Sequence, residues 1–191
     1  MNDSHRQTLL DVLVFFLLVA IGVAGRWGQP EWCFTPTAAA AVFAGRYFGR
    51  WAIAALVPVT ILAVSDVLLP AYDSYGVMIA TYLAMVVPVF LGKLLAGGRG
   101  GWGTPWGFGA GRAVSPLAFF VVANFPVWAF ESAYAPTWAG LVQCYVAAVP
   151  FVRWMLAGDI FYMSVLFGCG ALAGISVVAP SQLQPQPVVA R

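Results

Sequence analysis

The sequence predicts an all-α integral membrane protein with six transmembrane helices and one short outer or re-entrant helix. Hydrophobic residues make up 62% of the chain and charged residues only 8%, and the mean hydropathy is +0.87. About one quarter of a typical soluble domain is charged, so these residues are too few to cover a soluble globule. At 191 residues the chain is predicted to form a single transmembrane domain over residues 1–191.

Five apolar segments meet or approach the length of a membrane span. About 20 apolar residues are needed to cross a hydrocarbon core of roughly 30 Å. The second segment is short, and we expect it to border protein more than lipid. The five segments are residues 7–25, 33–48, 51–72, 74–92 and 113–130.

The last apolar stretch, residues 137–179, is too long for one straight span and short for two. Pro150 divides it, so we expect residues 137–149 to form a short outer or re-entrant helix of about 20 Å. The sixth span is predicted over residues 159–179. Asp159 would stand at its start, where a carboxylate can cap free backbone N–H groups.

Two polar regions complete the predicted topology. Residues 96–112 form a glycine-rich segment, which we expect to be a flexible cytoplasmic loop. This segment lacks the preceding strand and the following Lys-Ser or Lys-Thr of a phosphate-binding loop. Residues 180–191 form a polar tail.

Small residues recur four apart in three of the apolar segments. The pairs are Ala20 with Ala24, Ala41 with Gly45, and Gly170 with Gly174. Such spacing places both small residues on one helix face and permits a close approach of two backbones. We therefore expect helix–helix contacts at these pairs.

The distribution of Lys and Arg predicts the orientation, because these residues collect on the cytoplasmic side of a membrane. With a cytoplasmic N-terminus and C-terminus, only Arg26 and Arg153 lie outside. A seven-span arrangement with Arg153 inside and Arg191 outside gives the same count, but the segment lengths favour six spans. The basic residues predicted inside are Arg6, Arg46, Arg50, Lys93, Arg99, Arg112 and Arg191.

Histidine and cysteine usage disfavours metal and histidine chemistry. Cys33, Cys144 and Cys169 are isolated in apolar sequence, and the single histidine is His5 in the polar N-terminal segment. This pattern indicates neither a disulfide framework nor a metal site. We expect no metal, no cofactor and no enzymatic activity, and the net charge of +2 gives no indication of nucleic acid.

Several polar residues fall at one predicted depth near the outer ends of the spans. Asp66 lies about fifteen residues, or roughly 22 Å, into the third span, and Asn124 lies at a similar height in the fifth. Asp159 opens the sixth span, Thr35 begins the second and Arg26 ends the first. Ionisable groups at membrane depth are costly and mark candidate sites. A polar cluster backed by an apolar inner half predicts a pocket open to one side.

Each of these polar residues also has a purely structural interpretation. Asp159 could act only as a helix cap. Asp66 and Arg153 could form a structural ion pair. Asn124 could bond backbone that Pro126 loosens.

Long segments of the chain resemble an uncharacterised bacterial family of transport-type proteins that is grouped as a domain of unknown function. The resemblance covers nearly the whole chain, although that family reads Asn-Phe-Thr-Pro where this chain has Cys33-Phe34-Thr35-Pro36. The segments that carry it are CFTPTAAAAVFAGRYFG, LVPVTILAVSD, NFPVWAF and AGLVQCYVAAVPFVRWMLAGDIFYMSVLFG.

The pairs Pro150-Phe151 and Gly158-Asp159 resemble an expanded form of a pattern in the S components of energy-coupling factor transporters, the vitamin-uptake family. The resemblance implies an S-component-like bundle in the bacterial inner membrane, with an outward pocket. It also implies two kinds of partner, a transmembrane T component and a pair of ATPase subunits. Ala20 and Ala24 match the Ala-xxx-Ala motif that contacts the T component.

On this resemblance the chain captures a small metabolite or vitamin from outside for ATP-driven uptake. One Arg and two acids suit a small zwitterionic or heterocyclic molecule. The residues predicted to bind it are Asp66, Asn124, Trp128, Arg153, Asp159, Thr35 and Arg26.

Two alternatives from other classes remain open. A self-sufficient secondary transporter or channel would need inverted repeats or an ion site at the midplane, and neither is apparent. The segments around Asp73 and Asp159 also resemble the two motifs of aspartyl intramembrane proteases, in which paired carboxylates share a proton. Leu156 stands where the second motif requires Gly, and the chain is short for that family.

Overall fold

The structure, a computed structural model, describes residues 3–31, 33–97 and 105–173. Within these ranges every regular element is an α-helix and no strand is present, which confirms the all-α prediction. The six helices are α1 (Asp3–Trp27), α2 (Thr37–Tyr47), α3 (Trp51–Ser65), α4 (Tyr75–Gly97), α5 (Pro105–Phe130) and α6 (Trp138–Leu172).

Three of these helices are long and apolar enough to cross a membrane: Ser4–Trp27, Tyr75–Leu94 and Trp138–Leu172. Helix α2 has 11 residues and α3 has 15, so they measure about 16 Å and 22 Å. Both are shorter than the roughly 30 Å of a hydrocarbon core. Among the described residues, three helices are thus both long and apolar enough to span, where the sequence predicts six spans.

Helix α2 forms the centre of the bundle. Its residues from Thr37 to Gly45 are all buried, and it packs against α1, α3, α4 and α6. The alanines at its start add little bulk, so the surrounding helices can approach closely. The expectation that this segment borders protein rather than lipid is confirmed. The buried side chains around it include Val57, Ile61, Val89 and Met163.

Two glycines allow α2 and α4 to pack backbone against backbone. A Cβ atom added to Gly45 would overlap the backbone of Val89. A Cβ atom added to Gly92 would overlap the carbonyl group of Val42 and lie 3.1 Å from the backbone nitrogen of Arg46. The close helix contact predicted at Gly45 is therefore present. Gly170 lies beside the ring of Phe43, while its predicted partner Gly174 is outside the described residues.

Helix α6 differs most from the prediction. It runs without a break from Trp138 to Leu172 over 35 residues, or about 52 Å, with Pro150 inside it. The predicted helix break at Pro150 and the helix start at Asp159 are therefore wrong. Proline removes one backbone hydrogen bond, but helices in apolar surroundings often continue through it. Thr137 caps the helix instead, because its Oγ1 accepts a hydrogen bond from the Gly140 N–H at 3.2 Å.

The other helix boundaries differ less. Helix α3 ends at Ser65, so residues 66–72 of the third predicted span belong to a connection. Helix α5 begins at Pro105, inside the predicted 96–112 loop, and proline is favoured at the first position of a helix. Residues 98–104 and the predicted tail at 180–191 lie outside the described part of the chain.

We predict that Gly45→Ala destabilises the protein, because its methyl group would overlap the Val89 backbone, which cannot rotate away. Overpacking of this kind costs about 1–3 kcal/mol. Gly168→Ala is the matched control, since nothing lies within 4 Å of a Cβ atom at that position. Thermal unfolding of both variants in detergent tests the prediction. Equal melting temperatures for the two variants would contradict the α2–α4 contact.

Candidate functional site

A cavity of about 350 Å³ lies at one end of the helix bundle. All six helices contribute to its wall, together with the three connections 28–36, 66–74 and 131–137. Each of these connections joins an odd-numbered helix to the next even-numbered one. We call this end the cavity end.

Four of the predicted binding residues line this cavity: Arg26, Thr35, Asp66 and Asp159. They come from α1, from the first connection, from the end of α3 and from α6. The prediction that polar groups from several helices meet at one level is confirmed for these four. Whether they bind a substrate stays a prediction.

Arg26 and Asp66 form an ion pair in the cavity wall. The Arg26 Nη1 lies 2.8 Å from the Asp66 Oδ1, and the two side chains are only 15% and 18% exposed. Arg26 also donates to the Ser65 hydroxyl at 2.6 Å, and Tyr82 donates to the other Asp66 oxygen at 3.0 Å. The predicted pairing of Asp66 with Arg153 is wrong, because the end of α1 supplies the guanidinium.

Tyr72 adds a phenol to the surroundings of this ion pair. It lies in the connection after α3 and lines the cavity. Burial raises the pKa of the Tyr72 phenol above its ordinary value, and the negative charge of Asp66 raises it further. Tyr72 is therefore a neutral hydrogen-bonding group at neutral pH.

Asp159 is the most deeply buried charged residue that the structure describes, with 4% of its surface exposed. Its Oδ2 atom has no hydrogen-bond partner among the described residues. Asp159 stands in the second half of α6, so the helix-cap interpretation is wrong. A buried carboxylate oxygen without a partner is unusual and marks a functional candidate.

The neighbouring Gly158 explains how the first connection comes to lie beside this carboxylate. A Cβ atom at Gly158 would lie 3.2 Å from the Phe34 Cα and 3.3 Å from the Thr35 backbone nitrogen. Because glycine has no Cβ atom, the connection can rest directly on α6. Thr35 and Asp159 are thereby brought to the same wall.

Cys33, in the same connection, has a left-handed backbone with φ of 70°. It is a non-glycine residue in that region, which is uncommon and costs free energy. Burial raises the pKa of the Cys33 thiol, while the positive charge of Arg26 opposes the effect. The thiol is therefore a weakly acidic group of the cavity wall and not an activated nucleophile.

Three predicted binding residues do not line the cavity: Asn124, Trp128 and Arg153. The Asn124 Nδ2 donates to the Phe120 carbonyl of its own helix at 2.7 Å, and the Trp128 Nε1 donates to the Ala135 carbonyl at 3.0 Å. Arg153 is exposed and lies over the ring of the adjacent Trp154. Their side chains make other contacts or face outward, so the prediction that they join the cavity is wrong.

The Asn124 bond is a self-contained interaction within α5. The interpretation that Asn124 bonds backbone loosened by Pro126 is wrong, because its acceptor is the Phe120 carbonyl and not the carbonyl that Pro126 leaves without a donor. That carbonyl belongs to Val122, four residues before the proline.

Two further carboxylates line the cavity, Asp73 and Glu131, which the sequence did not place among the substrate-binding residues. Asp73 lies in the connection after α3, and Glu131 follows the end of α5. Burial raises the pKa of Glu131, and the negative charge of Asp73 adds to this shift. Both residues follow odd-numbered helices, and that shared topology was the signal that could have placed them together.

The cavity carries an excess of acidic groups. Arg26 is the one basic side chain among the described lining residues, and Asp66 already balances it. Asp73, Glu131 and Asp159 remain. Within the described ranges no group of three or more His, Cys, Asp or Glu is arranged to hold a metal ion.

The geometry bears on the protease hypothesis as well. An aspartyl protease dyad requires two carboxyl groups in hydrogen-bond contact. The free Oδ2 of Asp159 has no such contact among the described residues, whereas the charge of Asp73 acts on Glu131. In this structure Asp73 and Asp159 therefore do not share a proton.

Ala20 and Ala24, the predicted partner-contact pair, lie on an exposed face of α1. Leu13, Phe16 and Leu17 on the same helix are also exposed. This face is free to meet lipid or another membrane helix, because the described part of the chain does not cover it.

Together these features define a helical protein with spanning-length helices and an acidic polar cavity at one end. The chain belongs to the Family of unknown function (DUF6580), whose profile matches residues 6–182. The predicted membership of an uncharacterised family is thus confirmed. No curated protein and no solved structure matches the chain.

We predict that Asp66→Asn lowers the free energy of unfolding by about 1–3 kcal/mol, because the partly buried Arg26 loses its counter-charge. The double variant Arg26→Gln/Asp66→Asn should lower the free energy of unfolding by less than the sum of the two single variants' losses. Asp73→Asn, at an exposed position, is the control and should change stability by less than about 0.5 kcal/mol. Strictly additive losses in a double-mutant cycle would show that the ion pair contributes nothing.

Proposed function

We propose that this protein is the substrate-binding component of a membrane uptake system and captures a small metabolite in the cavity. The observation that carries the proposal is the 350 Å³ cavity with the unpartnered carboxylate of Asp159 in its wall. Small-molecule sites are concave, mostly apolar and about 300–1,000 Å³ in volume, with a few polar groups that orient the ligand. The cavity fits this description at the small end of the range.

One-sided capture is favoured over continuous conduction. The polar lining lies at the cavity end, whereas the centre of the bundle is filled by apolar side chains such as Val42, Ile61 and Met163. A conducting path would need polar groups or water through that layer. The packed core therefore supports binding followed by a conformational step.

The basic residues support an outward-facing cavity. Arg46 and Arg50 lie near the α2–α3 connection, and Lys93 donates to the Phe48 and Gly49 carbonyls at the same end. The α2–α3 connection joins an even-numbered helix to the next odd-numbered one, so it lies at the end of the bundle opposite to the cavity end. Because Lys and Arg collect in the cytoplasm, the cavity would open outward, in the orientation proposed for a bacterial inner membrane with both termini inside.

The exposed face with Ala20 and Ala24 supports a membrane partner. Small residues four apart allow another helix to approach closely. In the proposed system this partner is a T component with ATPase subunits that drive transport. The chain itself supplies capture and release.

A secondary transporter is the second candidate, and Asp159 is the observation that favours it. Buried carboxylates in membrane helices commonly carry protons in coupled transport. In this alternative the gradient of an ion or proton drives uptake, and no ATPase is required.

The test is a metabolite screen on the purified full-length protein, followed by uptake in proteoliposomes with and without the T component and ATPases. We expect a ligand that raises the melting temperature and loses affinity at least about tenfold in Asp159→Ala. Asn124→Ala and Arg153→Ala are matched controls outside the cavity and should bind as the parent does. Uptake driven by an ion gradient alone would favour the secondary transporter, and the lack of any ligand would contradict both.

A further inference from the structure

We infer that the ligand of the cavity is a small organic cation, a protonated amine, and that the Asp159 carboxylate is its counter-ion. This inference rests on the proposed function, since it specifies the chemical class of the captured molecule. It replaces the zwitterionic or heterocyclic ligand that the sequence alone suggested.

The first observation is the state of the Asp159 side chain. It is 4% exposed, lines the cavity, and its Oδ2 lacks a hydrogen-bond partner among the described residues. Removing an ionised carboxylate from water is costly unless a cation or several donors replace the water. A ligand that carries a positive charge and N–H donors would supply both.

The second observation is that the basic side chains nearest to this site in the described part of the chain are paired or lie elsewhere. Arg26 is paired with Asp66 at 2.8 Å. Arg153 is exposed and outside the cavity lining, and Lys93 binds carbonyl groups at the opposite end. No cation of the described residues is therefore left to balance an ionised Asp159.

The third observation is the acidic mouth. Asp73 is exposed and Glu131 half-buried, and both line the cavity. Carboxylates around a low-dielectric cleft focus a negative potential, which concentrates cations and repels anions. The lining as a whole therefore selects positive charge before the ligand reaches Asp159.

The remaining lining indicates an organic cation rather than a metal ion. Val77, Met85, Phe119 and Met155 give the cavity apolar surface that a hydrocarbon group would cover. The acids do not converge as a metal site within the described part of the chain. A volume of about 350 Å³ also exceeds what a bare ion would fill. Thr35 and Thr37 offer hydroxyl oxygens to the other N–H groups of an amine.

The experiment measures binding of matched probes to the purified full-length protein in nanodiscs. Benzylamine and cyclohexylamine are the cations, benzyl alcohol and cyclohexanol are their neutral counterparts, and benzoate is the anionic counterpart of benzylamine. We expect the amines to bind at least about tenfold more tightly than their counterparts, because a charge-assisted bond is absent from the latter.

Asp159→Asn keeps the shape of the side chain and removes its charge, so amine affinity should fall about ten- to hundredfold while alcohol affinity stays the same. Asp159→Glu should keep the preference for amines, and it serves as the second variant if the Asn variant does not fold. Arg153→Gln, outside the cavity, should bind as the parent does.

Two results would overturn the inference. The first is that the alcohols or benzoate bind as tightly as the amines. The second is that the affinity for amines is unchanged in Asp159→Asn. If these probes fail but the metabolite screen finds a neutral ligand, the proposed function stands and only the cationic ligand is wrong. If neither set binds, the proposed function fails together with this inference.

Discussion

The burial of α2 is the constraint on which the rest of the structure depends. This short helix cannot span a membrane, and its small residues let α1, α3, α4 and α6 close around it. Its backbone touches that of α4 through Gly45 and Gly92. Because α2 is so short, the connection 28–36 that precedes it reaches into the bundle and rests on Gly158 of α6. The same connection forms part of the cavity wall.

Two carboxylates in that cavity have opposite environments. Asp66 is satisfied by Arg26 and Tyr82, so it ties the ends of α1 and α3 to α4. Asp159 is buried without such partners. A fold gains nothing from an isolated buried carboxylate, which is why we connect Asp66 with stability and Asp159 with ligand binding.

The sequence predicted the depth of residues better than the faces on which they lie. The fixed rise of a helix places Arg26, Asp66 and Asp159 near one level, and the structure brings all three to the cavity. Asn124 and Arg153 were predicted at the same level, but their side chains do not line the cavity. The rotation of a helix depends on packing against its neighbours, which one sequence does not reveal. The helix break predicted at Pro150 was wrong because proline ends helices in water more strictly than in apolar surroundings.

The central claim is that the cavity opens outward and reaches Asp159. The most direct measurement is labelling of Asp159→Cys in intact bacterial cells with a small, membrane-impermeant thiol reagent, after Cys33, Cys144 and Cys169 are replaced. The account predicts labelling from outside the intact cell. Labelling that occurs only after the membrane is permeabilised, or from the cytoplasmic side alone, would contradict it.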